Sequence, residues 1–210
     1  MIYFSIDLET TGIDWNEDSI VEFGAILEDT NQQFSFEEIP KFNVLIKHPK
    51  YIGTPYALSL HSEIFKELAK PPGESLEKII SYKDLGTEFR SWALQQNKQF
   101  NFLNTSELMV NSKISINVAG KNFGTFDMRF LENLENFNDC VSFNKRIIDP
   151  SILYFDESLD SELPNLSICK QRAGINDLNI AHRSIDDAWD VIQVLRGKMY
   201  VQLERDDVAF

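Results

Sequence analysis

The chain has 210 residues, of which 43% are hydrophobic and 25% carry a charged side chain. These proportions are ordinary for a globular protein, and the length allows one domain with a sizeable core. The net charge of −13 argues against a protein that coats long nucleic acid, because such binding uses clustered lysine and arginine. No apolar stretch approaches the roughly 20 residues needed to cross a bilayer, and no signal peptide is recognisable. We therefore expect a cytoplasmic protein without membrane association.

The N-terminal part of the chain predicts a meander of three strands. Residues 2–8 and 20–27 are rich in apolar and β-branched side chains, and a turn signal around Gly12 separates them. Residues 41–47 alternate more weakly and predict the third strand.

The middle of the chain predicts one helix and one further strand. A helix is predicted over 83–96, because its apolar residues recur at helical spacing. These residues are Leu85, Phe89, Trp92 and Ala93. Residues 97–113 are polar and rich in asparagine, and no element is assigned to them. A fourth strand is predicted over 114–119, just before Gly120.

The C-terminal part predicts two helices. The first covers 164–173 and is terminated by Gly174, and the second covers 185–202 with an apolar stripe along one face. Residues 204–210 are expected to form a loose tail. Strands followed by strands mixed with helices indicate an α/β fold with a central mixed β-sheet flanked by α-helices. No linker or repeat divides the chain, so we expect one domain over 1–210.

Two carboxylates lie near the end of the first predicted strand. Asp7 and Glu9 are two residues apart, so their side chains project from the same face of the strand. Two carboxylates about 6 Å apart repel by roughly 3 kcal/mol at an effective dielectric constant near 20, and a divalent cation reverses that sign. Oxygen ligands favour Mg²⁺ or Mn²⁺ over zinc. The alternative is a pair of solvated carboxylates that precede a turn.

A third carboxylate, Asp127, closes the segment Asn-Phe-Gly-Thr-Phe-Asp after the fourth predicted strand. The turn could deliver Asp127 to the sheet edge that carries Asp7. Alternatively, Asp127 is a first-turn carboxylate that the helix dipole favours. We expect the side chain of Asn122 to hold this turn by hydrogen bonds to the backbone.

A histidine and a fourth carboxylate lie in the segment His-Arg-Ser-Ile-Asp-Asp-Ala, as His182 and Asp187. The residues from Ser184 to Asp187 have the form of a capping box, so Asp187 is either a helix-capping carboxylate or a metal ligand. His182 is either an exposed bystander in a polar loop that begins near residue 176 or a general base that approaches an attacking water. For His61 we expect packing or an ordinary polar contact.

Together and in this order, the three segments resemble the DEDDh family of 3′–5′ exonucleases. That family includes the proofreading subunits of bacterial DNA polymerases, ribonuclease T and oligoribonuclease. Asp-Leu-Glu-Thr-Thr-Gly matches the first motif, and the segment that ends at Asp127 resembles the second. The spacing from His182 to Asp187 matches the third motif and distinguishes this branch from the one with tyrosine. Residues 163–170 resemble the helix that precedes this motif, and the resemblance extends over residues 1–199.

The resemblance implies a ribonuclease H-like fold and hydrolysis of phosphodiester bonds by a two-metal-ion mechanism. Two Mg²⁺ or Mn²⁺ ions would be held by four carboxylates, which are Asp7, Glu9, Asp127 and Asp187. His182 would deprotonate the attacking water, and 5′-mononucleotides would leave the 3′ ends of single-stranded or frayed DNA or RNA. The resemblance also implies that Leu8 and Thr10 contact the terminal nucleotide.

The chain departs from the family in two places. Lys121 stands where many members have histidine, and the segment 71–113 is expanded. A catalytically silent nucleic-acid-binding or scaffold domain on the same fold remains an alternative, as does an endonuclease on a related fold. The choice between DNA and RNA stays open because it depends on contacts to the 2′-OH. A homodimer or a polymerase or repair partner is also left open.

Overall fold

The structure is a computed structural model, and it describes residues 1–109, 112–176 and 182–206, with side chains described as far as residue 198. Its strands are β1 (Ile2–Thr10), β2 (Ile20–Asp29), β3 (Lys41–Lys47), β4 (Ile79–Ser81), β5 (Ile114–Ile116), β6 (Val118–Ala119) and β7 (Val141–Phe143). Its helices are α1 (Pro55–Leu60), α2 (Ser62–Leu68), α3 (Leu85–Phe100), α4 (Asp127–Glu132), α5 (Phe137–Cys140), α6 (Pro150–Tyr154), α7 (Leu166–Arg172) and α8 (Ser184–Asp206).

A five-stranded mixed sheet forms the centre, in the order β4-β3-β2-β1-β6. The first three strands pair antiparallel, which confirms the predicted meander. Strand β4 adds to β3 in parallel, and β6 adds to β1 in parallel. The segment 71–113 therefore supplies an edge strand of the sheet, and it also supplies α3, which packs into the core.

The alternation of β1 assigns its side chains to two layers. Phe4, Ile6 and Leu8 pack in the cluster that contains α3, and Phe4 meets Phe89 edge-to-face at 5.7 Å. Each fully buried side chain of this kind contributes about 1.5–3 kcal/mol. On the opposite face, the Ser5 hydroxyl donates to the Ala188 carbonyl of α8 at 2.7 Å. The odd-numbered positions of β1 therefore face α8.

The strand predicted over 114–119 is two strands that belong to different sheets. Strand β5 pairs with β7 in a two-stranded sheet, whereas β6 pairs with β1. Asn117 separates them, and its carbonyl accepts the Phe4 N–H at 2.9 Å while its side-chain amide donates to the Ile2 carbonyl at 2.9 Å. The prediction of one strand was wrong because a polar residue inside an apolar run serves as the switch between sheets.

The helices differ from prediction mainly at their ends. Helix α3 continues to Phe100, beyond the predicted end at residue 96, and Asn101 then adopts a φ of 50°. The buried Asn97 side chain accepts the next free amides, from Phe102 at 2.7 Å and Leu103 at 2.8 Å. Asn97 lies inside the helix and caps its end with its side chain. A prediction that ended the helix where the sequence becomes polar therefore placed the boundary too early.

Helix α8 begins at Ser184 and includes residues 204–206, where a loose tail was predicted. The looseness of this segment stays a prediction, and residues 207–210 lie outside the described part. Within the described ranges, no helix combines the length and the apolar character needed to cross a membrane.

Candidate active site

Three of the predicted carboxylates meet between β1 and α8. Ligand oxygens from Asp7, Glu9 and Asp187 all lie within 4.8 Å of one another. Asp7 and Glu9 share the α8-facing side of β1, as the strand period requires. Asp187 comes from the first turn of α8. The structure thus brings together residues that are 180 positions apart in the chain.

Asp187 does not act as a helix cap. The amides of Asp186 and Asp187 both donate to the Arg183 carbonyl at 3.0 Å, so the helix is already formed at Ser184. The Ser184 hydroxyl donates to Asn43 Oδ1 at 3.4 Å instead of capping its own helix. Asp187 Oδ1 is buried and has no hydrogen-bond partner among the described residues. The capping-box interpretation was therefore wrong, and this oxygen is available to a ligand.

The fourth carboxylate, Asp127, is fixed against the backbone of β1. In β1 the even-numbered amides point toward β6, as the Phe4 N–H does. Strand β6 ends at Ala119, and Asp127 Oδ1 accepts the Leu8 N–H at 3.1 Å in its place. Asp127 is buried and close enough to Asp7 for its charge to raise the Asp7 pKa.

The turn before Asp127 is held by the main chain. Asn122 adopts a φ of 59°, and its carbonyl accepts the amides of Thr125 at 2.9 Å and Phe126 at 3.0 Å. The Asn122 N–H donates to Asp149 Oδ2 at 3.0 Å, while its side-chain oxygen accepts from Lys121. The predicted role for the Asn122 side chain was wrong, because a left-handed backbone achieves the turn that the side chain was expected to make.

Burial raises the pKa values of these carboxylates. Desolvation raises the pKa of Glu9 to about 8, and the pKa values of Asp127 and Asp187 to about 7. It also raises the pKa of Asp7 well above its ordinary value, and the charges of Asp127, Asp187 and Glu9 add to this effect. Within the described residues, no lysine or arginine forms an ion pair with Asp7, Asp127 or Asp187. Acidic oxygens without a cationic partner fit a hard divalent cation.

The predicted general base lies at the edge of this cluster. His182 is exposed and has a φ of 50°, in the left-handed region. It follows residues 177–181, so most of the predicted polar loop lies outside the described residues. His182 is close enough to His61 for its charge to lower the His61 pKa, an effect second to that of burial.

His61 is a residue of the site whose place sequence reasoning missed. It lies between α1 and α2, is buried, and places Nε2 at 3.4 Å from Glu9 Oε2. Burial lowers its pKa, which favours the neutral ring. The sequence predicted an ordinary polar contact, but nothing in the local pattern pointed to Glu9. Only the packing of α2 against the sheet places the ring there.

The two residues expected to contact a nucleotide are engaged internally. Leu8 packs its side chain in the core and gives its N–H to Asp127. The Thr10 hydroxyl donates to the Gly12 carbonyl at 2.7 Å. Contacts from either residue to a nucleotide stay a prediction.

The family model for RNase_T exonucleases matches residues 4–195, which include all five predicted site residues. The chain belongs to the RNase_T exonuclease family. The expected DEDDh assignment is thereby confirmed, and exonuclease-family membership supports nuclease activity that depends on a divalent metal ion. No curated protein shows significant sequence similarity to the chain.

Solved structures of exonucleases share the fold, at low identity. Escherichia coli Exonuclease I, in complex with a dT13 oligonucleotide, is 15% identical with a TM-score of 0.54, and the match covers 94% of this chain and 40% of that one. A full-length 3′-exonuclease is 14% identical with a TM-score of 0.60, covering 96% and 60%. Cell-death related nuclease 4 is 12% identical with a TM-score of 0.57, covering 96% and 64%. This chain therefore has the ribonuclease H-like fold and spans less than two thirds of each of these proteins.

Proposed function

We propose that the protein is a metal-dependent 3′–5′ exonuclease that hydrolyses phosphodiester bonds of single-stranded or frayed nucleic acid and releases 5′-mononucleotides. The observation that carries this proposal is the cluster of Asp7, Glu9 and Asp187, whose ligand oxygens lie within 4.8 Å of one another. Asp127 lies beside this cluster, and burial raises its pKa as it does for the three clustered carboxylates. Four carboxylates at such short range, most of them buried, would repel one another strongly without a cation.

The four carboxylates would hold two Mg²⁺ or Mn²⁺ ions. Bound ions of this kind stabilise charge on the attacking and leaving oxygens and make water a stronger nucleophile. Asp187 offers an oxygen with no described hydrogen-bond partner, and Asp127 is fixed by the Leu8 amide. His182, exposed beside the cluster, would take the proton from the attacking water. Leu8 and Thr10 would contact the terminal nucleotide.

Direction and substrate are inferred from relatives and from charge. One structural neighbour is a 3′-exonuclease, and another holds a dT13 oligonucleotide. The net charge of −13 favours short contacts to few phosphates over a long basic track. We further propose that residues 1–210 form a single exonuclease domain, because β4 and α3 from the segment 71–113 pack into the sheet and core.

A time course on end-labelled oligonucleotides tests the function. Single-stranded DNA, single-stranded RNA and a mismatched duplex, each labelled at the 5′ end, are incubated with Mg²⁺ or Mn²⁺. A 3′–5′ exonuclease yields a ladder of progressively shorter labelled products. Immediate release of a labelled mononucleotide would show the opposite direction, and cleavage of a circular substrate would show an endonuclease.

Matched variants separate this activity from a contaminant. Asp7→Ala and His182→Ala should abolish or strongly reduce the ladder. Glu63→Ala should not, because its side chain is 76% exposed and its ion pair among the described residues is a surface pair with Lys66. Undiminished activity in excess EDTA would refute the metal-dependent mechanism.

A further inference from the structure

An ion pair between a buried glutamate and a partly exposed arginine lies directly behind the site. Arg183 Nε lies 3.0 Å and 3.1 Å from the two carboxylate oxygens of Glu22, and Nη2 lies 2.8 Å from Oε1. Glu22 is fully buried on β2, directly opposite Glu9 in the strand register. Arg183 also donates to Glu77 Oε1 at 3.1 Å, just before β4. The guanidinium therefore ties the central sheet and its edge to the residue next to His182.

The same carboxylate holds the first residue of α8. Glu22 Oε2 accepts the Ser184 N–H at 3.1 Å, and Oε1 accepts from the Asn43 side chain at 3.1 Å. Glu22 thus uses both oxygens on partners that surround the helix start. A carboxylate is favoured at that position because it satisfies a free amide and faces the positive end of the helix dipole.

The helix start also touches β2 directly. A Cβ on Gly24 would lie 2.5 Å from the Ser184 carbonyl carbon and 2.6 Å from the Ile185 nitrogen. Gly24 is the register partner of Asp7. The backbone of α8 is therefore pressed against the strand position next to the first metal-binding aspartate, and the ion pair keeps it there.

We propose that Glu22 and Arg183 form a latch that positions His182 and Asp187 against Asp7 and Glu9. Arg183 is a positioning residue in this role, because its contacts are to Glu22 and Glu77. The latch rests on the proposed function for its effect on catalysis, but its effect on the helix start and on metal binding stands apart from turnover.

The chain offers a matched control on the same two elements. Arg196 of α8 donates from Nε to Glu28 Oε1 at 2.8 Å and from Nη2 to Oε2 at 2.7 Å. Glu28 is fully buried on β2, as Glu22 is. Six residues of strand separate the two glutamates, which places the second pair about 20 Å from the first. In both pairs an arginine on or next to α8 makes a two-pronged contact to a fully buried glutamate of β2, although the Arg183 side chain is 33% exposed and that of Arg196 is 12% exposed. The second pair lies far from the carboxylate cluster.

Three full-length variants test the latch. E22Q/R183M removes both charges at the site, so that no unpaired charge remains buried and the opposite effects of the two charges on Glu9 are removed together. E28Q/R196M makes the same change at the control pair. R183K keeps the positive charge and loses the planar fork. Each is measured by hydrogen exchange of the peptide over 182–188 in EDTA, by Mn²⁺ titration calorimetry, and by kcat and KM on single-stranded DNA at saturating Mg²⁺.

We expect E22Q/R183M to exchange at least tenfold faster over 182–188, to bind Mn²⁺ at least tenfold more weakly, and to lose at least tenfold in kcat with KM changed less than threefold. R183K should fall between this variant and the wild type, and it serves alone if the double variant does not fold. E28Q/R196M should stay within twofold of the wild type in all three. Equal exchange and Mn²⁺ affinity in the two double variants would overturn the latch. A wild-type protein without nuclease activity would overturn the proposed function, while exchange and Mn²⁺ affinity would still decide the latch.

Discussion

The two ends of the layer between β1, β2 and α8 treat buried carboxylates in opposite ways. At one end Glu28 is fully buried and receives two hydrogen bonds from Arg196, which also donates to the Phe34 carbonyl at 2.9 Å. At the other end Asp7 is partly buried and Asp187 is buried against further acidic groups, with no ion pair to lysine or arginine in the described part of the chain. The fold thus neutralises Glu28, and Glu22 behind the site, with its own side chains and leaves the other carboxylates for a ligand.

The difference separates stability from function. A buried charge with an internal partner contributes to structure. Removing one member of such a pair leaves the other buried without compensation, which destabilises the fold. A buried charge without a partner costs stability until something binds. Burial also raises the pKa of Glu28, but the hydrogen bonds and the charge of Arg196 act in the opposite direction. The carboxylates at the other end have no such ion-pair partner among the described residues, and buried acidic groups of that kind mark a candidate functional site.

The largest contrast should come from Asp7→Asn. This change removes a ligand charge without changing shape, and the lost metal contact is worth several kcal/mol, or about a thousandfold in kcat/KM. In EDTA the variant should be at least as stable as the wild type, because a repelled carboxylate is gone. Kinetics on single-stranded DNA and urea unfolding in EDTA measure the two effects. Activity within tenfold of the wild type would remove Asp7 from the metal site.

At the opposite end, Arg196→Met should do the reverse. It leaves Glu28 buried without its partner, which costs about 3–5 kcal/mol in the free energy of unfolding. Activity per folded molecule should stay within twofold, since the pair lies about 20 Å along the strand from Glu22. Urea unfolding and kinetics at low temperature test this. A loss of activity larger than the unfolded fraction would contradict the separation of the two ends.

The pH dependence of stability should also belong to one end. The folded pKa values of Glu9, Asp127 and Asp187, about 8, 7 and 7, lie above those of an unfolded chain. The folded state therefore binds more protons, and the stability that these groups contribute below pH 4 is lost as the pH rises toward 8.

We expect the free energy of unfolding in EDTA to fall by at least about 2 kcal/mol between pH 5 and pH 8, since each pKa unit is worth about 1.4 kcal/mol. Saturating Mg²⁺ should reduce that fall, and Asp7→Asn should have a shallower slope than the wild type. A free energy of unfolding that does not change with pH in EDTA would show that the pKa values of these carboxylates are not raised together.

The smallest expected effect concerns His61. His61→Phe keeps a ring between α1 and α2 but removes the Nε2 contact to Glu9, so Mn²⁺ binding should weaken roughly tenfold, as for other groups that orient a ligand. His48→Phe is the control, because His48 contacts the Ile20 carbonyl and stacks on Tyr82 instead. Titration calorimetry distinguishes them, and equal affinities would make His61 a packing residue only.

What the sequence could predict follows from the range of each interaction. The shared face of Asp7 and Glu9 depends on the two-residue period of one strand, and the meander depends on short turns, so both were predictable. The family resemblance supplied the rest of the ligand set. The role of Asp187 was ambiguous because a capping box and a ligand have the same local pattern. Its Oδ1 has no hydrogen-bond partner among the described residues, which argues against the capping role, while the ligand role stays a prediction.

Other features are set by contacts between distant parts of the chain. Arg183 and Glu22 are 161 residues apart, and no sequence motif around either residue indicates that they pair. His61 meets Glu9 only after α2 packs on the sheet. The separation of β5 and β6 at Asn117 depends on which strand lies beside each of them, and the local sequence carries no information about that neighbour.

One glycine has a consequence for how this site could be lost. By intrinsic preference, Gly24 weakens β2, because glycine gains nothing in the middle of a buried strand. Its missing side chain is the space that lets α8 approach within reach of Asp7. A single added methyl group there would spread the ligands apart while every acidic residue remained in place. Inspection of the acidic residues alone would miss such a loss, so Gly24 belongs with those residues when the integrity of this site is judged.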